Sequence, residues 1–278
     1  MKEKFYVPIL RIVGVYVVFA LLWIFLSDRV LYFFFPEIDT FLVGQTWKGF
    51  FFVITSAILL FFLLRRENQI RDEAWKSHNK KLVDAWDASI EGWSRTIELR
   101  DEDTRHHSAR AVEITLQIAK QMGINNEEEL RYIRWGALLH DIGKIGVPDH
   151  ILNKPGKLTP EEREIINQHP KLASKLLSDI EYLEPIIDIP LYHHEKWDGT
   201  GYPQGLKAEE IPLPARIFAV VDVWDAMTSK RPYRSAISEF DAVKYITENS
   251  GTHFDPDVVF AFLKILQISI SLENKPSR

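Results

Sequence analysis

Eight of the nine histidines fall after position 100, and several stand where an imidazole has to be accounted for. His140-Asp141 closes the apolar run Ala137-Leu138-Leu139 and is followed by Ile142-Gly143-Lys144. A charged aspartate on the edge of such a stripe is costly unless it is paired or bound to a cation. His169 precedes Pro170 in a helical segment, and Asp222 sits inside the apolar stretch 219–224. Asp103 and His107 are four residues apart, which places them on one helix face. His193-His194 run into a turn-rich loop holding Gly199, Gly201, Pro203 and Gly205 with Trp197 and Tyr202. Polar loops of this kind carry function more often than they serve as spacers.

Taken singly, each of these side chains reads as a satisfied polar group of a core. Taken jointly, five histidines and two or three aspartates in apolar helical context argue for a metal site. The chain has no cysteine, so disulfides, zinc thiolate sites and cysteine nucleophiles are excluded, and imidazole with carboxylate suits Fe, Mn or Zn. Seven or eight ligands exceed the needs of one ion, which implies two or three ions sharing a bridging carboxylate. Two ions ~3.5–4 Å apart form a standard clamp for displacement at phosphorus.

The elements that must position these residues read as helices. Asn126 with Glu129 three residues on, and Thr159-Pro160-Glu161-Glu162, are capping-box patterns, the second with proline at the first helical position. Asp255-Pro256 starts a last helix ending near Ile270. Periodicity alone allows the run 217–223 to be a buried strand. Its apolar character continues through Trp224, Ala226 and Met227, which favours helix. Residues 82–272 are therefore expected to form one all-α domain, with residues 273–278 as a tail.

Upstream the chain changes character. Residues 12–26 are an unbroken apolar run, extended upstream across Arg11, and residues 49–64 form a second with only Thr55 and Ser56 mildly polar. A bilayer-crossing helix needs ~20 mostly apolar residues, which each run reaches with its aromatic flank. The expectation is a membrane anchor over residues 1–70, with spans at about 7–26 and 47–64. Lys2, Lys4 and Arg11 precede the first span, and Arg65, Arg66 and Arg71 follow the second. The positive-inside rule puts both termini and the helical domain in the cytoplasm. No small-x-small cleavage site follows the first run, which argues against a signal peptide. The outer loop, about 27–47, is too short for a folded sensor.

Between anchor and domain, residues 65–99 contain no proline and one glycine, Gly92. Leu82, Trp86, Ile90, Trp93 and Ile97 recur every three or four residues as one helical stripe. The charged part, 65–81, suits a solvated stalk or a homodimer seam, and two heptads are too few to choose. The formal net charge of -5 provides no broad basic field, so duplex nucleic acid is excluded as a partner.

In this order the residues resemble the HD-GYP family of cyclic di-GMP phosphodiesterases. The resemblance covers residues 82–272 and rests on HDIGKIGVP at 140–148, HHEKWDGTGYPQGL at 193–206, DVWDAMTSKRPYR at 222–234 and GTHFDP at 251–256. It implies an HD-domain-like helical bundle preceded by two transmembrane helices and a linker helix. It also implies a ligand set of His107, His140, Asp141, His169, His193, His194 and Asp222 around two divalent ions, Fe or Mn, with Asp141 bridging. Lys144 then contacts the scissile phosphate, and Arg231 and Arg234 hold the dinucleotide. Where members hold a third metal they often carry glutamate at the position of Asp103, one methylene longer. Ala173 stands where the His-Pro-x-x-Gly pattern has glycine.

The implied reaction is attack of metal-activated hydroxide at phosphorus, opening cyclic di-GMP to linear pGpG, with GMP after a second round. The loop 198–206 carries no evident metal ligand. It is expected to shape the rim of the site or meet a cyclic di-GMP synthase domain. Two other classes stay open at this point. One is an HD-type hydrolase of a mononucleotide or alarmone, which residues 193–206 and Arg231/Arg234 argue against. The other is a non-catalytic cyclic di-GMP receptor or scaffold, against which stands the full set of seven ligands.

Overall fold

The computed structural model describes residues 3–34, 38–101, 108–229 and 236–273. Asp103, His107, Arg231 and Arg234 lie outside them. Among the described residues all regular structure is helical, apart from one isolated bridge between Ser250 and Phe254. The chain divides into two compact units, Met1–Asp84 and Ala85–Arg278.

In the first unit, helix α1 (Glu3–Phe34) packs beside the start of helix α2 (Ile38–Arg100). Phe19 stacks on Phe52 with ring centroids 6.2 Å apart, and Trp23 meets Phe52 at 5.8 Å. Gly44 lets the helices approach, since a Cβ there would lie 2.9 Å from Leu31 Cδ1. Lys48 pairs with Asp28, which also accepts from Gln45 at 3.2 Å. The remaining faces expose Phe25, Phe33, Phe61 and Phe62. Both helices contain stretches, within Ile9–Phe34 and Val43–Arg100, long and apolar enough to cross a membrane.

Helix α2 runs for 63 residues without interruption. The second apolar run, the charged stretch 65–81 and the stripe beyond it are therefore one element, as the absence of proline allows. The expected stripe is only partly buried: Ile90 and Ile97 are inside, while Leu82 is 49% and Trp93 37% exposed.

In the second unit, α3 (Ser108–Gln121), α4 (Glu127–Leu138), α8 (Asp188–Tyr192), α9 (Leu213–Thr228), α10 (Glu239–Glu248) and α11 (Pro256–Glu273) share a core around Ile118, Phe218, Val221 and Phe262. The stretch 217–223 is helical, within α9. A second cluster joins Ile90 of α2 to Trp135 of α4 and Leu139 at its C-cap, and to Leu177, Leu183 and Ile186. Trp135 is fully buried, which satisfies its indole only because Nε1–H donates to Asp87 Oδ1 on α2 at 2.6 Å. Burying a side chain of this size stabilises by about 3 kcal/mol. Asn126 caps α4 by accepting from the amides of Glu128 and Glu129. Thr159 and Glu162 form the capping box of α6 (Pro160–Ile166), with Pro160 leading the helix. These caps fix the ends of the helices between which the histidines lie.

Candidate metal and phosphate site

His140 and Asp141 come just after the C-cap of α4, Leu139, and the chain then tightens into a 3₁₀ turn, Ile142–Gly146, ahead of the short α5 (Asp149–Leu152). This turn lies against α7 (His169–Ser178) at the level of the main chain. A Cβ on Gly143 would sit 1.8 Å from His169 O and 2.6 Å from the Ala173 nitrogen, so only glycine fits. Ala173, the departure from the glycine of the family pattern, is itself fully buried at this contact.

The close packing brings Asp141 among imidazoles. Its Oδ2 lies 3.1 Å from His140 Nε2 and its Oδ1 3.3 Å from His169 Nε2. His193 ends α8, and its ring lies 4.0 Å from that of His194, centroid to centroid. Ligating nitrogens of His169, His193 and His194 fall within 4.8 Å of one another. Phe218 of α9 backs the cluster, 4.8 Å from the His140 ring. Asp222, one turn further along α9, is near enough that its charge favours protonation of both His140 and His193.

The imidazoles are oriented by main chain. His140 Nδ1 lies 2.8 Å from Ala137 O, His169 Nδ1 2.8 Å from Ile166 O, and His193 Nδ1 3.0 Å from Ile189 O. A carbonyl oxygen only accepts, so each Nδ1 carries the hydrogen and each neutral ring presents a bare lone pair at Nε2. His169 Nε2 and His193 Nε2 nevertheless face each other at 3.4 Å. Two lone pairs held that close repel unless a cation lies between or beside them. Metal-ligating histidines are typically held in this way, with the second nitrogen donating to a carbonyl or carboxylate.

Charge preferences favour neutral rings at His169, His193 and His194. Burial, then the neighbouring His140 and His169, push His193 down to about 3. Burial likewise pushes His169 down, and His194 well down. His140 differs: burial opposes its charged form, but the Asp141 carboxylate outweighs burial and moves it up. Burial would raise Asp141, yet Lys144 and His140 together hold it well below the usual carboxylate range. A carboxylate that stays ionised beside the neutral imidazoles of His169, His193 and His194, with no thiolate, is a donor set for a hard or borderline divalent ion.

Lys144 borders the cluster. Its Nζ lies 2.7 Å from Asp141 Oδ2 and 2.7 Å from Asp101 Oδ2. Burial opposes the charge on Lys144, but these two carboxylates dominate and raise it, so the ammonium persists at any physiological pH. Asp101 follows the last residue of α2 and is 4% exposed. Beside it, Arg100 donates to the carbonyl oxygens of Lys144, Ile145 and Val147 at 2.9, 2.8 and 2.5 Å, and to Asp149 Oδ1 at 2.9 and 2.7 Å. Sequence reading missed both residues. The only signal for them was a charged pair directly after the apolar stripe that ends at Ile97.

The 198–206 loop is anchored by a third missed residue. The buried carboxylate of Glu195 accepts from the amides of Gln204 at 2.7 Å, Gly205 at 3.1 Å and Leu206 at 3.1 Å. Gly201 has no room for a side chain, since a Cβ would lie 2.4 Å from the Lys196 nitrogen. Tyr202 is thereby laid on His194 with ring centroids 4.8 Å apart. Burial, reinforced by Asp141, moves its phenol up and keeps it a hydrogen-bond donor. The structure thus brings together His140, Asp141, Lys144, His169, His193 and His194, with Asp222 alongside. His107, Asp103, Arg231 and Arg234 lie outside the described residues.

Comparison with known proteins places this arrangement. A family model described as HD domain matches residues 92–258. The chain is 46% identical over 170 residues to a protein of Thermotoga maritima named cyclic di-GMP phosphodiesterase, covering 60% of this chain and 46% of that one. It is 44% identical over 173 residues to the cyclic di-GMP phosphodiesterase response regulator RpfG of Xanthomonas campestris, covering 62% and 46%. The chain therefore spans less than half the length of either relative. Among solved structures, Bd1817, an HDG"Y"P protein of Bdellovibrio bacteriovorus, matches with a TM-score of 0.50 at 22% identity, over 60% of this chain and 53% of that one. That likeness concerns the fold.

Proposed function

The chain belongs to the HD domain family, and we propose that it is a metal-dependent phosphodiesterase that hydrolyses cyclic di-GMP to linear pGpG and then to GMP. The observation that carries the reading is the convergence of the Nε2 atoms of His169 and His193 at 3.4 Å with the ionised Asp141 beside them. The relatives' names supply the substrate class.

His107, His140, Asp141, His169, His193, His194 and Asp222 are assigned to hold two divalent ions, Fe or Mn, with Asp141 shared and Asp103 available to a third. Bound ions of this kind act as Lewis acids toward phosphoryl oxygens and lower the pKa of a bound water. The carbonyls of Ala137, Ile166 and Ile189 keep the imidazoles aimed, while burial keeps His169 and His193 uncharged. The Lys144 ammonium, never neutral in this setting, stabilises charge that builds on the phosphoryl oxygens. Tyr202 holds a protonated phenol at the rim, where it donates to an oxygen of the substrate. Arg231 and Arg234 bind the dinucleotide phosphates. Arg234→Ala is expected chiefly to raise KM, because it removes mainly ground-state binding.

The apolar helices of the first unit are assigned to a bilayer, through residues 7–64, with the enzyme domain from residue 82 on the cytoplasmic side of the bacterial inner membrane. The full chain in detergent, loaded with Fe or Mn under reducing conditions, tests the reading. Conversion of cyclic di-GMP to pGpG is expected. Turnover of mononucleotides or alarmones in its place would assign the site to another hydrolase. Fewer than one bound ion per chain would instead favour a receptor or scaffold.

A further inference from the structure

Lys144 is held in two independent ways by the last turn of α2, and neither hold uses a residue of the imidazole cluster. The Arg100 guanidinium clamps the backbone of 144–147 through three carbonyls and ties it to Asp149. The Asp101 carboxylate takes the amine itself at 2.7 Å. The other anionic partner of Lys144, Asp141, is the carboxylate that the bound ions are assigned to share. Once its oxygens are committed to cations, their pull on the ammonium is largely cancelled. Asp101 then remains as the group that fixes where the ammonium points.

We propose that Asp101 is a positioning residue that acts through Lys144, fixing from the side of α2 the place of the ammonium that Asp141 also contacts, so that it meets the substrate phosphate. The proposal rests on the phosphodiesterase reading for the role of Lys144, but the geometry it invokes is independent of substrate. Asp101 meets the Lys144 amine directly, at 2.7 Å, and the part of its effect that passes through that amine is what the test must isolate. Energetic coupling between two groups in direct contact is the signature of such an arrangement, and a double-mutant cycle reads it.

The test uses the full chain in detergent with Asp101→Ala, the isosteric Asp101→Asn, Lys144→Ala and the double variant Asp101→Ala/Lys144→Ala. In the Lys144 background Asp101→Ala should lower kcat/KM for cyclic di-GMP by about 30-fold, with Asp101→Asn between it and the wild type. In the Lys144→Ala background the same change should cost less than about threefold. Equal losses in both backgrounds would show a merely structural role and overturn the proposal, as would an Asp101→Ala variant within threefold of the wild type. A second readout needs no turnover: reductive methylation of Lys144, quantified by mass spectrometry against Lys120 and Lys175. Labelling of Lys144 alone should rise about tenfold in Asp101→Ala or Asp101→Asn, because the amine loses a charged partner. Unchanged labelling overturns the proposal. A wild type that labels as expected but leaves cyclic di-GMP intact would refute the substrate assignment and not the positioning. If Asp101→Ala fails to fold, Asp101→Asn, which keeps the shape, carries both measurements.

Discussion

The imidazole cluster and the lysine beside it share Asp141 but are built on different principles. His140, His169 and His193 are aimed by carbonyl oxygens of the chain just upstream of each, three or four residues away. Lys144 is aimed by Arg100 and Asp101, more than forty residues away in sequence. Local hydrogen bonds of the first kind form as soon as the helix ends form, so ligand orientation comes with the fold. Long-range ion pairs of the second kind exist only once α2 is seated. A site assembled in both ways can lose the placement of its lysine while keeping the geometry of its imidazoles.

The largest expected effect comes from the residue common to both parts. Asp141→Ala should lower cyclic di-GMP turnover by about 10³-fold or more, since it removes the shared ligand and a partner of Lys144. Retention of over a tenth of the wild-type rate would contradict the assignment. Next, Lys144→Ala should lower kcat by about 10²-fold with metal content unchanged, whereas His193→Ala should empty the site. Elemental analysis of the two variants side by side breaks the comparison if both, or neither, lose metal.

Gly143→Ala follows, with a loss of about 3 kcal/mol in folding stability measured by denaturant unfolding. The added carbon would overlap main chain of α7, which cannot rotate away. The smallest effect concerns pH. Burial pushes His193 down to about 3, against 6.5 for a free imidazole. Between those values the unfolded chain takes up a proton that the native chain refuses, so chelated protein should lose stability as pH falls from 6.5 toward 3. His193→Gln should flatten that part of the curve in thermal unfolding against pH. A curve of unchanged steepness would show that His193 is not the group responsible.

Much of the site was legible because it is written locally. His140-Asp141, His169-Pro170 and His193-His194 each stand at a helix end marked by an apolar run or by proline, and those marks survive without a structure. The all-α fold followed from caps at Asn126 and Thr159 and from helical spacing. What stayed hidden is long-range. Nothing near Asp101 indicates that it meets Lys144. Glu195 looked like a polar loop residue until its three amide partners appeared at positions 204–206. The spacing of the stripe on α2 defines a face but not how far a neighbour covers it, and Leu82 and Trp93 stay exposed. The continuity of α2 through its charged segment was likewise obscured by a change of composition that the backbone ignores.

Gly143 sets a further consequence. Because the 3₁₀ turn and α7 touch backbone to backbone there, the main-chain positions from which Asp141 and His169 reach toward each other are fixed by that contact. Rotamer changes can move the side chains but not those two starting points. The amides around positions 141–147 and 169–173 should therefore open to solvent together, as one unit in hydrogen exchange, and ion capture should slow the exchange of both stretches by the same factor.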